Sequence, residues 1–387
     1  MSWQPKRLNQ LGTVSRGRSR HRPRDAAHLY GGAYPFVQTG DVKHAGLYIT
    51  NYTQTYSEAG LAQSKLWPKG TLCITIAANI ADTAILDIDA CFPDSVIGFI
   101  PDPTQSDARF IKYLFDATIK VRAKQFSQGA TQDNLSQEKL LSLDFDIPSV
   151  AEQTRIADIL AVYDNLIEIN DRRMALLDDS IRLLYREWFF HLRFPGHEHS
   201  SIVDGVPQGW LMSTFGAVAS NFDRKRKPLS IMEREQREGE FPYHGAAGIL
   251  SYIDGFLFEG RYLLIGEDGT VQTATGNPML QYVEGRFWVS NHAHVIQGDV
   301  VSTEFLYCLL ADYPIQSHVT GVAQPKITQA NLNRIPVLVP PTLLQDSFRE
   351  FAAPIFDLRF SLQAQNQKLQ AARDLLLPRL MSGELAV

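Results

Sequence analysis

From Ile156 onward the inward-facing positions advance by alternating steps of four and three residues: Ile156, Leu160, Tyr163, Ile167, Asn170, Met174, Leu177, Ile181, Leu184 and Trp188. A mean step of three and a half residues keeps one narrow stripe of an α-helix turned toward a single partner, which is a coiled-coil seam. A helix lying on a globular core carries a broader stripe and does not hold that period for four heptads. Asn170, the one amide on the seam, is of the kind that fixes register at some loss of stability. Residues 343–387 repeat the pattern less regularly, with Phe348, Phe351, Ile355, Leu358, Leu362, Leu369, Leu376 and Leu380 on one side and Asn366 and Arg373 interrupting it. Each helix follows an extended segment that contains proline, Ile147-Pro148-Ser149 or Val339-Pro340-Pro341. The first is expected to end near Phe194-Pro195-Gly196 and the second between Pro378 and Gly383.

The helices are the clearest part of a larger duplication. Gly129-Ala-Thr-Gln132-Asp-Asn-Leu135-Ser-Gln137 returns as Gly321-Val-Ala-Gln324-Pro-Lys-Ile327-Thr-Gln329, and the match continues through Leu140/Leu332, Pro148/Pro340, Leu177/Leu369 and Leu184/Leu376. A period of about 190 residues is a duplicated domain with its helix, not a solenoid. Chain order then implies an architecture. A first helix of about 33 residues spans roughly 50 Å and delivers the chain to a second domain at its far end. To bury its own seam, the second helix must run back, which makes the pair antiparallel with a pseudo-two-fold axis.

Between the helices the pattern is mixed. Leu72–Ala77, Ile85–Asp89 and Tyr262–Ile265 read as strands, residues 108–118 and 303–311 as helices, and Glu267-Asp268-Gly269-Thr270 as a tight hairpin turn. The fold class is therefore α+β: two mixed α/β globular domains alternating with two long helices. The domains are expected at 1–150 and 195–342, with helices at 151–194 and at 343–387 including the tail.

Composition and charge narrow the function. The chain has 387 residues, 44% hydrophobic and 20% charged, enough for two or three cores, and no apolar run approaches a membrane span. With no apolar leader at the start, the expected location is cytoplasmic. Cys73, Cys91 and Cys308 form no disulfide framework and no metal-type pair. The net charge of −5 conceals basic clusters, Arg16, Arg18, Arg20, Arg22 and Arg24 in one short run and Arg224-Lys-Arg-Lys227 at a comparable place in the second module. Their recurrence points to phosphate contacts, although a solvated loop would look the same. Catalytic signatures are missing: Asn277-Pro278-Met279-Leu280 lacks the second proline and the aromatic of an adenine methyltransferase loop, and there is no phosphate-binding Gly-x-x-x-x-Gly-Lys-Ser/Thr. His292 and His294 alternate without a Cys or carboxylate cluster at ligand spacing, so no metal and no cofactor is expected.

Several stretches resemble the DNA-specificity subunits of type I restriction-modification systems. They are Glu152-Gln-Thr-Arg-Ile-Ala-Asp-Ile-Leu160, Leu184-Tyr-Arg-Glu-Trp-Phe-Phe190 with Arg193-Phe-Pro-Gly-His-Glu198, Arg373-Asp-Leu-Leu-Leu-Pro-Arg-Leu-Met-Ser-Gly-Glu-Leu385, Phe36-Val-Gln-Thr-Gly-Asp41 and Phe287-Trp-Val-Ser-Asn-His-Ala-His294. The resemblance implies two target recognition domains that each read half of a split site in double-stranded DNA. It further implies helices that space the half-sites and dock two methyltransferase subunits, motor-nuclease restriction subunits in the full complex, and no catalysis by the chain itself. A coiled-coil scaffold for protein partners and a standalone nucleic-acid enzyme remain as alternatives.

Candidate DNA contacts follow from side-chain chemistry, because Arg and Lys suit phosphate and guanine while Asn and Gln suit adenine. They are Arg16, Arg18, Lys43, Lys124, Gln128, Gln132, Arg224, Lys225, Lys227, His292, Gln324 and Lys326. Gln132 and Gln324 lie in the repeated loop, which could equally be common scaffold, whereas base reading belongs where the two modules differ. The expected helix-pairing seam comprises the first-helix residues from Ile156 to Leu184 named above, with Leu362, Leu369 and Leu376 opposite.

Overall fold

A short antiparallel ribbon ties the start of each globular part to its end: Gln4–Arg7 pairs with Asp144–Ile147, and Leu211–Thr214 with Pro336–Val339. The structure is a computed structural model that describes residues 3–77, 81–127 (121–127 by backbone alone), 136–321 and 324–387. It divides into two units, Met1–Asp171 with Ala364–Val387, and Arg172–Gln363.

The first unit holds a five-stranded sheet in the order Gly12–Arg16, Val96–Pro101, Leu72–Thr75, Thr83–Leu86 and Tyr48–Ile49, beside a four-stranded one built on Tyr30–Phe36. Leu72–Thr75 is buried at every position, as a strand covered on both faces must be. One face packs on the helix Ala108–Ser127 through Phe110, Ile111 and Phe115. The second unit holds a six-stranded sheet in the order Ala219–Asn221, Ala293–Gly298, Phe258–Gly266, Leu280–Val289, Glu238–His244 and Ile249–Ile253, with the helix Thr303–Ala311 against it.

The repeated sequence is a capped turn. Ser136 Oγ accepts the Lys139 N–H at 3.1 Å and starts the helix Gln137–Leu141, while Thr328 Oγ1 accepts the Asn331 N–H at 3.2 Å and starts Gln329–Asn333. Leu140 and Leu332 plug the two cores. The expected tight turn at Glu267–Thr270 is absent. Phe258–Gly266 and Leu280–Val289 do pair as a hairpin, but residues 267–279 form a long loop, and the Gly269 N–H donates to the Pro325 carbonyl at 3.1 Å. The Asp-Gly pair bends the chain locally toward Lys326 and does not close the hairpin.

The long helices are Val150–Tyr185 and Thr342–Met381. Within the first unit Asp164 meets Arg373 at 2.5 Å and Asn170 meets Asn366 at 2.9 Å, so one residue number rises as the other falls: the segments are antiparallel. Within the second unit Asp178 meets Arg359 and Tyr185 meets Phe348, again antiparallel. The α-helix stops at Tyr185, short of the end expected near residue 194, and a π-helical turn Arg186–Phe190 follows; the nine seam positions from Ile156 to Leu184 and Trp188 in that turn are all buried or half-buried, whereas Val162, Leu166, Ile169, Leu176 and Leu183 are exposed. Leu362, Leu369 and Leu376 also lie inward.

The second helix departs from its expected stripe. Phe351 and Leu358 are 58% and 40% exposed, and Ala352, Phe356 and Phe360 are buried in their place. These aromatics pack on the sheet and helix of their own unit as well as on a helix, with Phe356 4.9 Å from Tyr282 and Phe348 6.3 Å from Phe305, so the stripe widens and turns. Asn366 and Arg373, expected as interruptions, are seam contacts.

The Asn170–Asn366 pair sets a local test. Asn170 Nδ2 donates to Asn366 Oδ1, and Asn366 Nδ2 donates to Asp171 Oδ1 at 2.8 Å. Replacing either asparagine alone with leucine strands a buried amide and should cost about 1–3 kcal/mol, while the double leucine variant should recover most of that loss. Urea unfolding of the three variants measures this. Equal stability of the single and double variants would show that the amides do not act as a pair.

Candidate nucleic-acid interface

Four separate segments of the second unit are drawn together by a nearly buried ionic cluster. Arg226 Nη1 donates to Glu267 Oε2 and to the Ala293 carbonyl, each at 2.7 Å, and Nη2 lies 3.5 Å from Asp223 Oδ2. His294, only 1% exposed, places Nδ1 2.6 Å from Asp223 Oδ2 and Nε2 2.8 Å from the Ile327 carbonyl. Lys326 Nζ adds a contact to Glu267 Oε1 at 3.2 Å. Burial raises the Asp223 carboxyl, but hydrogen bonds from His294, Asn221 and the Val295 N–H outweigh it and hold the group below the usual carboxylate range.

Ligand atoms of Asp223, Glu267 and His294 lie within 4.8 Å of one another, a grouping that could suit a metal. Arg226 and Lys326 already neutralise both carboxylates, and both imidazole nitrogens face acceptors, so the cluster is better described as an internal salt bridge.

This cluster fixes six of the expected contacts on one part of the unit. Arg224, Lys225 and Lys227 are exposed, while Arg226 between them turns inward. The Lys227 carbonyl accepts from Trp288 Nε1 at 2.6 Å, which anchors the run. His292 is half exposed and pairs through Nδ1 with the Asp268 carboxylate. Gln324 is exposed and Lys326 partly so, just after Gly321, whose φ of +84° lets the backbone turn sharply.

The first unit is arranged differently. Arg16 donates to the Asp94 carbonyl at 2.9 Å, Arg24 holds the Asp94 carboxylate with both oxygens, and Arg22 caps the carbonyls of Ser19 and His21. Much of the basic run therefore braces its own loop. Arg18 is exposed and lies near Lys65, whose ammonium sits 3.5 Å from the Trp67 ring centroid. Partial burial, and then the Arg18 guanidinium, push the Lys65 ammonium below its usual range. Two cations placed to repel each other favour a bound polyanion, and nothing in the local spacing of Lys65 marked it out.

Lys43 is exposed on the short helix Thr39–His44 and lines a cleft of about 460 Å³ together with the pairs Lys112–Asp116 and Lys120–Asp82. Among the described residues no contact joins Lys43 to Arg16 or Arg18. Lys124 belongs to the helix Ala108–Ser127, and Gln128 and Gln132 lie outside the described residues. The Asp223, Arg226, Glu267 and Asp268 partners were also missed in the sequence, because tens of residues separate contacts that only the sheet brings together.

A family model described as the type I restriction modification DNA specificity domain matches residues 1–178 and 207–351. The chain is 24% identical to the type I restriction enzyme MjaIX specificity subunit of Methanocaldococcus jannaschii, over 100% of its own length and 94% of that protein. It is 19% identical to the type I restriction enzyme EcoprrI specificity subunit of Escherichia coli, over 80% of its length and 77% of the relative. Among solved structures it is similar to the S subunit of a type I restriction-modification system from M. genitalium, with a TM-score of 0.58, 18% identity and coverage of 98% and 96% of the two chains. At that identity the structural likeness is one of fold.

The ionic cluster gives a stability prediction with a pH signature. Arg226→Met leaves two nearly buried carboxylates short of a cation and should cost about 3 kcal/mol. Because the folded Asp223 carboxyl is lowered, its stabilisation is fully present above the ordinary carboxylate value near 4 and fades as pH falls through the lowered folded value. Asp223→Asn should therefore flatten the acid limb of the stability curve. Denaturant unfolding from pH 7 down to the acid limb measures both effects, and an unchanged limb in Asp223→Asn would assign it to other carboxylates.

Proposed function

Because the chain belongs to the type I restriction-modification DNA specificity family, we propose that it reads a bipartite target in double-stranded DNA and directs partner subunits to it. Residues 1–150 and 195–342 act as the two target recognition domains, and residues 151–194 and 343–387 as the spacer helices with their tail. The observation that carries this reading is the duplication: the family match falls once on each module, and each module has a ribbon closing its globular part and one end of the helix pairing within its own unit. Recognition is divided because the two modules share their scaffold and differ in their loops. The chain supplies no catalytic step; methyl transfer and cleavage belong to two methyltransferase subunits and to motor-nuclease restriction subunits, in the cytoplasm where the DNA lies.

The helices support docking as well as spacing. Val162, Leu166 and Ile169 in the first unit, and Leu176 and Leu183 in the second, are exposed apolar residues at heptad-related intervals along the helix Val150–Tyr185, outside the buried seam. An apolar stripe left open on a helix suits another helix from a partner. Leu176→Asp combined with Leu183→Asp should change stability by no more than about 0.5 kcal/mol per site, as surface substitutions do, yet abolish co-purification of the methyltransferase. Ile181→Asp, by contrast, buries a charge in the seam and should unfold the unit. Retention of the methyltransferase by the exposed double variant would remove this stripe from the docking surface.

A ruler role makes a separate prediction. Adding one heptad to each helix preserves the seam and lengthens it by about 10 Å, equal to roughly three base pairs at about 3.4 Å each. Methylation motifs mapped in cells that carry the chain and its methyltransferase should show the same half-sites moved apart by that amount. Reduced affinity is expected, since three base pairs also turn the second half-site by about 100°. An active insertion variant with the original spacing would show that the helices do not measure the gap.

A further inference from the structure

The DNA-reading function leaves unassigned which side chain of the second unit tests a base and which merely holds phosphate. His292 stands apart from its basic neighbours in how it is held. It occupies the turn just before the strand Ala293–Gly298, where its N–H donates to Ser290 Oγ at 3.2 Å and its carbonyl accepts the Glu267 N–H at 2.8 Å. Its Nδ1 meets the Asp268 carboxylate, which is itself 15% exposed. Asp268 is fixed in turn by a backbone bridge to Lys326 and by the neighbouring Gly269–Pro325 hydrogen bond. Backbone and ring are both pinned, yet the side chain remains 49% exposed.

That arrangement dictates chemistry. A carboxylate only accepts, so Nδ1 carries the hydrogen, and in the neutral ring Nε2 is left with a lone pair. Among the described residues Nε2 has no partner. In the major groove an acceptor is matched by the exocyclic amino groups, N6 of adenine and N4 of cytosine. Arg224, Lys225 and Lys227 belong to the run that Arg226 pins to the carbonyls of Asn291 and Ala293, which flank His292. They can hold phosphates but offer no acceptor. A carboxylate–imidazole pair whose imidazole is half exposed adds little to stability, so a fold-stabilising role does not account for this degree of constraint.

Resting on the DNA-specificity reading above, we propose that His292 is a base-reading residue of the second domain, that its Nε2 accepts a hydrogen bond from a base amino group in the major groove, and that Asp268 is its positioning residue. The test is to map methylated motifs in a host free of other methylation, expressing the methyltransferase with the parent chain or with His292→Ala, Asp268→Ala or Asp268→Asn. His292→Ala should lower selectivity roughly tenfold at one base pair of one half-site, leaving the other half-site fully specified and the melting temperature unchanged. Asp268→Ala should relax the same position, and Asp268→Asn, whose amide oxygen still accepts from Nδ1, should restore it.

A His292→Ala motif that stays fully specified, or that loosens in both half-sites, overturns the base-reading role. Equal relaxation by Asp268→Asn and Asp268→Ala overturns the positioning role of Asp268. A parent chain that directs no bipartite methylation brings down the specificity reading itself, and His292 with it, so the two failures are separable.

Discussion

Burial of a narrow apolar seam is the constraint on which the rest of this protein depends. A helix of 36 residues with one inward position per three and a half residues gains little from propensity alone, because isolated helices owe their stability to what covers their apolar face. The cover must itself be a helix of matching length, and the chain supplies it with Thr342–Met381. Each globular core then merges with its end of the pairing: Ile156, Leu160, Leu380 and Met381 join the first core, and Ile181, Tyr185, Trp188 and Phe348 the second. A helix that shares a core with a domain cannot swivel freely against it.

Duplication explains how such a chain can keep one scaffold while changing what it recognises. The parts retained in both modules are the closing ribbon, the Ser136 or Thr328 cap, and the buried Leu140 or Leu332 behind it. Each satisfies the backbone or fills a core, and neither task depends on a particular DNA sequence. The basic loops do not correspond in the same way. In the first unit Arg16, Arg22 and Arg24 fold back on Asp94 and on local carbonyls, whereas in the second Arg226 reaches across the sheet to Glu267.

The sequence disclosed those features that repeat along the chain and concealed those that depend on folding back. The heptad positions of the first helix, the strand Leu72–Thr75 and the helix Thr303–Ala311 announce themselves through period and length. The second helix is less legible, because Phe348, Ala352, Phe356 and Phe360 must serve two neighbours and no single period describes two faces. Glu267–Thr270 misled for a related reason. An Asp-Gly pair favours a tight turn locally, but the loop's contact with Pro325 comes from a segment more than fifty positions away. For the interface, charge type marked Arg224, Lys225 and Lys227, while the roles of Arg226 and Lys65 depend on neighbours that no spacing could reveal.

Charge in this protein therefore occupies two distinct settings, separated by burial. Arg226, Asp223, Glu267 and His294 compensate one another inside the second unit, where an unpaired member would be costly and where no ligand needs to reach. Arg224, Lys225 and Lys227 share the same short segment but remain in water, where pairing with a partner's phosphates would release counterions. One inward arginine among outward cations thus anchors the backbone of the basic run. Geometry of that kind separates a site able to distinguish bases from one that merely attracts a polyanion, since phosphate contacts tolerate displacement and base-edge hydrogen bonds do not. The first unit reaches comparable order by another route, with Gln63 Oε1 accepting the N–H groups of Arg20 and His21 at 2.6 and 3.0 Å. One duplicated scaffold thus carries two different arrangements of its basic residues.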